Sequence, residues 1–196
     1  MALTAGDSSL QPGFEDVDTS VRACVDSYGV HDLTDRNGVY QHRDNGNGFI
    51  RYIEFLVLQK KLHENKADFE AASPITWLDA SKTQHREDIV PPFLVSHGTW
   101  DTLVPFQDAQ LFFENLQRYR ARTNQRNSRV NDVFLPVEEA HHMFNYLLSP
   151  RTLAHCDAVC TFLDNVYRQT RHLPLESRFI ANESERPVAS RTVSKL

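Results

Sequence analysis

The stretch Pro91–Pro105, PPFLVSHGTWDTLVP, constrains the fold more than any other part of the chain. Phe93 to Ser96 is a short apolar run that reads as a buried strand. It stops at a small turn that contains Asp101. The next segment, FQDAQLFFENLQRY, places Ala109, Phe112, Phe113, Leu116 and Tyr119 on one face of an amphipathic helix. A basic loop, RARTNQRNSR, leads to another strand in VNDVFLP, and VEEAHHMFNYLL reads as the loop after it. A last helix then begins, with Ser149 as N-cap and Pro150 at the first helical position. Leu153, Val159, Cys160, Leu163 and Val166 give that helix a buried face. Strands alternating with helices in this order imply a parallel sheet with helices on its faces.

Upstream, VRACVDSYGVHDL (Val21–Leu33) reads as a strand followed by a loop. Its apolar residues cluster rather than alternate, so both faces are expected to be covered. TDRNGVYQHRDNGNG is a polar loop dense in Asn, Asp and Gly. Phe49 to Asn65 has helical length, with Ile50, Ile53 and Val57 on one stripe and apolar residues on the other faces. ASPITWLDAS is expected to connect it by a loop to the Phe93 strand. Met1–Ala5 reads as a last helical turn closed by Gly6. From about residue 171 the periodicity ends and Arg, Ser and Glu dominate, so 171–196 is expected to be a mobile tail.

Composition excludes several classes. The 196 residues are 40% apolar and 24% charged, which fits one soluble globular domain with a real core. A net charge of −5 argues against non-specific nucleic-acid binding. No apolar stretch is long enough to span a bilayer, and no signal peptide is visible. Three cysteines, Cys24, Cys156 and Cys160, are not a disulfide scaffold and fit a reducing, cytoplasmic setting.

Chemistry concentrates in two loops. In open parallel sheets, working groups sit beyond the carboxyl ends of strands. Asp101 follows the Phe93–Ser96 strand, and His142, with its neighbour His141, follows the Val130–Leu135 strand. An acid in one such loop and a histidine in the next form the orienting half of a catalytic triad. The carboxylate fixes the imidazole tautomer and stabilises the cation formed when the other ring nitrogen takes a proton. The chain order, acid before histidine with a nucleophile upstream, is that of α/β-hydrolases.

HGTWDTLVPFQDAQLFFENL and LPVEEAHHMFNYLLSPRT resemble the last third of α/β-hydrolase carboxylesterases and lipases, of hormone-sensitive-lipase-like and acetyl- or feruloyl-esterase-like type. YGVHDL and ASPI also look like connecting segments of that family. The resemblance covers roughly residues 1–168. It implies the C-terminal part of an α/β-hydrolase fold, with about three parallel strands and flanking helices. Residues 1–170 would form a partial domain, and 35–80 a lid-like insertion with its connecting segment. It assigns Asp101 through the block His-Gly-x-x-Asp-x-Leu-Val-Pro, and His142 through His-Met-Phe, with His141 as the fallback. Trp100, Leu103 and Val104 flank the acid and would line the pocket. The implied activity is carboxylic ester hydrolysis on a small or lipid-like ester by a serine acyl-enzyme route, with no cofactor.

One departure is large. The nucleophile elbow Gly-x-Ser-x-Gly of this family occurs nowhere in the sequence. The nearest string, GDSSL (Gly6–Leu10), lacks the second glycine and the preceding strand. The expectation is a truncated chain that holds the Asp and His of the triad without the Ser and is inactive alone. Two alternatives stand beside the esterase reading. One is a non-catalytic fragment or pseudoenzyme that associates with the missing N-terminal half, or with itself, through an exposed sheet edge. The other is an amide or peptide hydrolase on the same fold.

Other motifs carry less. Gly-Asp-Ser at Gly6–Ser8 needs a late Asp-x-x-His partner for hydrolase chemistry, and none is present, so it reads as a polar turn. RDNGNGFIRYIEF imitates a calcium loop, but Arg43 stands where the first carboxylate is required, so a turn into a helix is expected. Phe49, Tyr52 and Phe55 there would be a substrate wall or ordinary packing. Cys156 and Cys160 read as buried core thiols rather than metal ligands. The arginines at 118, 120, 122, 126 and 129 read as a solvated helix end and loop rather than an anion or RNA grip. Asn-Glu-Ser at Asn182 is a glycosylation pattern that matters only in a secreted protein.

Overall fold

The computed structural model describes residues 2–41, 46–79, 90–123 and 131–171. Three parallel strands form one sheet in the order β1 (Cys24–Ser27), β2 (Phe93–Gly98), β3 (Val133–Val137). Cys24 pairs with Phe93 and Leu94 with Val133, so β2 is central. Its whole length is buried, as a strand covered on both faces must be. Pro136 sits on β3, an edge strand among the described residues, where its missing N–H is tolerated.

On one face, Phe93 and Val95 pack against α3 (Phe106–Arg122), with Ala109, Phe112, Leu116 and Tyr119 buried as the helical spacing requires. Phe113 lies at the margin, stacked on Phe134. On the other face, Leu94, Ala23 and Val25 receive α4 (Pro150–Thr170). Ser149 caps α4, its Oγ accepting from the Thr152 N–H at 3.1 Å. A fully buried Phe or Leu in these layers contributes about 1.5–3 kcal/mol.

A buried clamp closes the amino end of the sheet. Arg120 donates from Nε and Nη2 to both carboxylate oxygens of Asp132, at 2.9 and 3.0 Å. It also donates to the carbonyls of Val90 and Pro91. Asp132 Oδ1 accepts the Phe93 N–H at 2.9 Å, which ties β3 to β2. Arg120 therefore departs from the expected solvated cluster, because four acceptors compensate its burial. Arg118 is exposed and paired with Glu114, and residues 126 and 129 lie outside the described residues.

Several expectations are corrected. The helix expected over Phe49–Asn65 is instead α1 (Gly46–Tyr52), followed by a π-turn, Ile53–Val57. Only Ile53 of that turn reaches a core, against Leu33 and Phe69. Phe55, Leu56 and Val57 are exposed, so no second surface rewards continuing the helix. The loop expected over ASPITWLDAS includes a 3-10 turn, Pro74–Leu78, preceded by α2 (Lys66–Ala72). Ser73 joins them, donating to the Phe69 carbonyl and accepting the Leu33 N–H.

The buried face of α4 is Thr152, His155, Phe162, Val166 and Thr170. Leu153, Leu163, Cys156 and Cys160 are exposed, so the cysteines are not core thiols. The apolar arc of α4 is wider than the sheet can cover, and the buried stripe is one step round from the expected one. Residues 2–6 form a turn rather than a helix end, with Gly6 at φ 71° donating to Thr19 Oγ1. GDSSL is the polar turn expected: Asp7 caps a 3-10 turn at Ser8–Leu10. The calcium-like first position, residue 182 and the tail beyond 171 lie outside the described residues. No described helix is long and apolar enough to cross a membrane, and among the described residues no group of three or more His, Cys, Asp or Glu side chains is placed to hold a metal ion.

Candidate active site

Asp101 sits three residues past the end of β2, in a turn where its N–H donates to the Gly98 carbonyl. Its side chain is buried, and every acceptor direction is used. Oδ1 accepts the N–H groups of Leu103 and Val104 at 2.8 and 2.9 Å. Oδ2 lies 2.8 Å from Nδ1 of His142 and 3.2 Å from Nε2 of His97. Burial pushes the carboxyl upward, yet the bonds from His97, His142, Val104 and Leu103 outweigh it and hold Asp101 below its ordinary range.

The histidine loop is held against the acid turn by backbone. Thr99 and Trp100 donate to the carbonyls of Val137 and Ala140, and Glu139 donates to Thr99 Oγ1. The approach is so close at Gly98 that a Cβ there would overlap the Ala140 carbonyl. Glu139 and Met143 both adopt positive φ, 54° and 56°, which bends the loop so that His142 faces inward. The structure brings His142 to Asp101. His141 instead lies edge-on to Trp100, with ring centroids 6.2 Å apart.

With Nδ1 donating to Asp101, the tautomer of His142 leaves a lone pair on Nε2. Among the described residues no hydrogen bond engages that Nε2. Tyr28, at φ 48° just beyond β1, packs edge-on to the His142 ring at 4.9 Å and donates to Asn145 Oδ1 at 3.0 Å. Phe144 stands between Tyr28 and His155. His155 is hydrogen-bonded to Ser96 at 2.9 Å, and burial shifts its proton affinity downward.

The remaining candidates separate by exposure. Trp100 and Leu103 are 56% and 50% exposed beside the acid. Val104 is 1% exposed, so it contributes backbone: its N–H serves Asp101 and its carbonyl accepts from His97 at 3.0 Å. Phe49 stacks between Tyr40 and Tyr52, while Phe55 is exposed.

Sequence reasoning passed over His97 and Tyr28. His97 was legible as the one ionisable residue inside a wholly buried strand, four residues before the acid. Tyr28 carried no comparable signal. A second imidazole–carboxylate group lies between β1 and α3. His31 bridges Asp26 at 2.7 Å and Asp108 at 2.8 Å and stacks on Phe112. It borders a cavity of about 290 Å³ whose other walls include Leu3, Trp77 and Phe93.

The profile of the BD-FAE family matches residues 3–116. Esterase LipQ of Mycobacterium tuberculosis is 34% identical over 166 residues, 85% of this chain and 34% of LipQ. The probable carboxylic ester hydrolase LipM of the same organism is 33% identical over 87% of this chain and 35% of LipM. The chain thus spans about a third of the length of these relatives. Among solved structures, a butyrate-bound thermophilic esterase, Est2 of Thermogutta terrifontis, aligns at a TM-score of 0.50 and 21% identity over 79% of this chain and 45% of that one. An acylaminoacyl peptidase aligns at 0.51 and 14% identity over 73% of this chain and 19% of the peptidase. These structural likenesses speak for the α/β-hydrolase fold, which the three parallel strands and their flanking helices share. With more than half of its residues matched by the profile, the chain belongs to the BD-FAE family of α/β-hydrolase carboxylesterases.

Proposed function

We propose that this chain supplies the acid and the general base of a carboxylic ester hydrolase. The observation that carries the reading is the 2.8 Å contact between Asp101 Oδ2 and His142 Nδ1, with the carboxylate buried and anchored by two backbone amides. Nε2 of His142 takes the proton of a serine hydroxyl as that oxygen attacks the ester carbonyl. Asp101 stabilises the resulting imidazolium. The proton then passes to the leaving alkoxide, which departs as the alcohol and leaves an acyl-serine. Water, deprotonated by the same nitrogen, releases the acid and restores the serine. The exposed faces of Trp100 and Leu103 form an apolar wall beside the reacting centre, suited to a small or lipid-like ester. Residues 1–170 act as one unit, with 35–80 as the covering segment.

The 196 residues contain no Gly-x-Ser-x-Gly, and no serine among them is assigned as the nucleophile. Esters are favoured over amides because the relatives that align over most of this chain are esterases or ester hydrolases by name.

The test is turnover of short p-nitrophenyl esters together with fluorophosphonate labelling. The chain alone should take up no fluorophosphonate. Joined to, or mixed with, a polypeptide bearing the serine elbow of the family, it should support turnover. Asp101→Asn or His142→Ala should lower that turnover roughly ten-thousandfold. Turnover indifferent to both substitutions overturns the reading.

A further inference from the structure

His97 is completely buried at the end of the central strand. Its Nε2 faces two acceptors, the Val104 carbonyl at 3.0 Å and Asp101 Oδ2 at 3.2 Å. Two acceptors in front of one nitrogen require that the nitrogen carry the proton. Nδ1 is buried without a hydrogen-bond partner among the described residues. An apolar residue of similar size would avoid that orphaned acceptor, so the ring is costly here unless its Nε2–H is needed.

The need is visible in the acid turn. Leu103 and Val104 hold Oδ1 of Asp101, but they leave the carboxylate plane free to rock about the Cβ–Cγ bond. Oδ2 is the oxygen that meets His142, and a rocking plane would move it off the line to Nδ1. His97 supplies a second restraint, on the other oxygen. The same N–H also holds the Val104 carbonyl, so it fixes the carboxylate relative to the turn that carries it.

We propose that His97 is a positioning residue: its Nε2–H, shared between the Val104 carbonyl and the Asp101 carboxylate, locks Oδ2 of Asp101 towards His142. The proposal rests on the reading of Asp101 and His142 as acid and base. It acts through Asp101 alone, since His97 is sealed from solvent.

The donor position can be separated from the ring. In His97→Gln the amide nitrogen reaches the place of Nε2, whereas in His97→Asn it reaches only the place of Nδ1. The measurement is NMR of the isotope-labelled chain, following the Nδ1–H of His142 and the carboxyl carbon of Asp101. The His142 resonance is identified by its absence in His142→Gln. In the native chain and in His97→Gln, the ring proton should be protected from solvent exchange to within about twofold of each other. In His97→Asn it should exchange about tenfold faster, and the Asp101 carboxyl should titrate at a higher pH than in the native chain.

Equal protection in native and Asn variants overturns the proposal. So does parallel loss of protection in the Gln and Asn variants, whether folded or not, because that is the mark of a ring needed only for packing. The readout uses no ester. If esterase activity fails to depend on Asp101 and His142 while the Gln/Asn contrast holds, the functional reading falls and the positioning role stands.

Discussion

At the scale of single residues, the site is built by saturation. Each carboxylate oxygen of Asp101 has two donors, so the side chain has one orientation, and this orientation aims at one imidazole. Gly98 makes the arrangement possible by letting the Ala140 carbonyl approach the strand end. Gly98→Ala is expected to push the two loops apart and cost about 1–3 kcal/mol, as overpacking does. Urea unfolding of the variant measures the cost. A midpoint equal to that of the native chain would mean that the contact relaxes freely. Asp101 was legible in the sequence as the candidate acid, through its place in the loop after a buried strand and the block it shares with the resembled family. The choice between His141 and His142 was carried there by resemblance. The loop geometry that favours His142 depends on positive φ at Glu139 and Met143, which neither residue type announces.

At the scale of elements, burial follows what the sheet can reach rather than apolar spacing alone. The apolar arc of α4 extends past the sheet, so Phe162 and Val166 are buried while Leu153 and Leu163 are exposed. Replacing Phe162 by Ala should cost about 3–5 kcal/mol, whereas Leu153→Ala should change stability by less than about 0.5 kcal/mol. Thermal and urea melts of the pair test this, and similar losses in both would show that Leu153 is covered. The thiols give an independent check. Cys156 and Cys160 are exposed, whereas burial first and then the charge of Asp26 push the Cys24 thiol up to about 11. An aromatic disulfide reagent at pH 8 should modify the two helical cysteines at least roughly a hundredfold faster than Cys24.

At the scale of the whole molecule, two buried imidazole–carboxylate groups set opposite ends of the stability profile. Burial opposes the charge of His31, but the bonds and charges of Asp108 and Asp26 overcome it and raise the imidazole from 6.5 to about 9. A raised native value stabilises fully below the unfolded value and is lost as pH climbs from 6.5 through about 9. Asp101 has the reverse sign. Its depressed native value stabilises above 3.8 and is lost as pH falls below that, through the native value. The contributions of these two groups to the urea midpoint should therefore decline as pH rises from 6.5 through about 9 and as it falls below 3.8. His31→Gln should flatten the alkaline decline and leave the acid one. A native midpoint that rises between pH 7 and 9 would contradict the His31 assignment.

Strand–helix alternation and local chemistry were enough to determine the individual strands, the two long helices, the Ser149 cap and the turn that holds Asp101, because each depends on residues adjacent in the chain. Tertiary structure decided the rest: how far the Phe49 helix runs, which stripe of α4 is covered, why Arg120 is buried, and which histidine meets Asp101. Those outcomes depend on surfaces and partners contributed by distant segments. A helix ends where its packing ends, a charge is buried where four acceptors converge, and an imidazole meets its carboxylate only where the pairing of β2 and β3 brings their loops together.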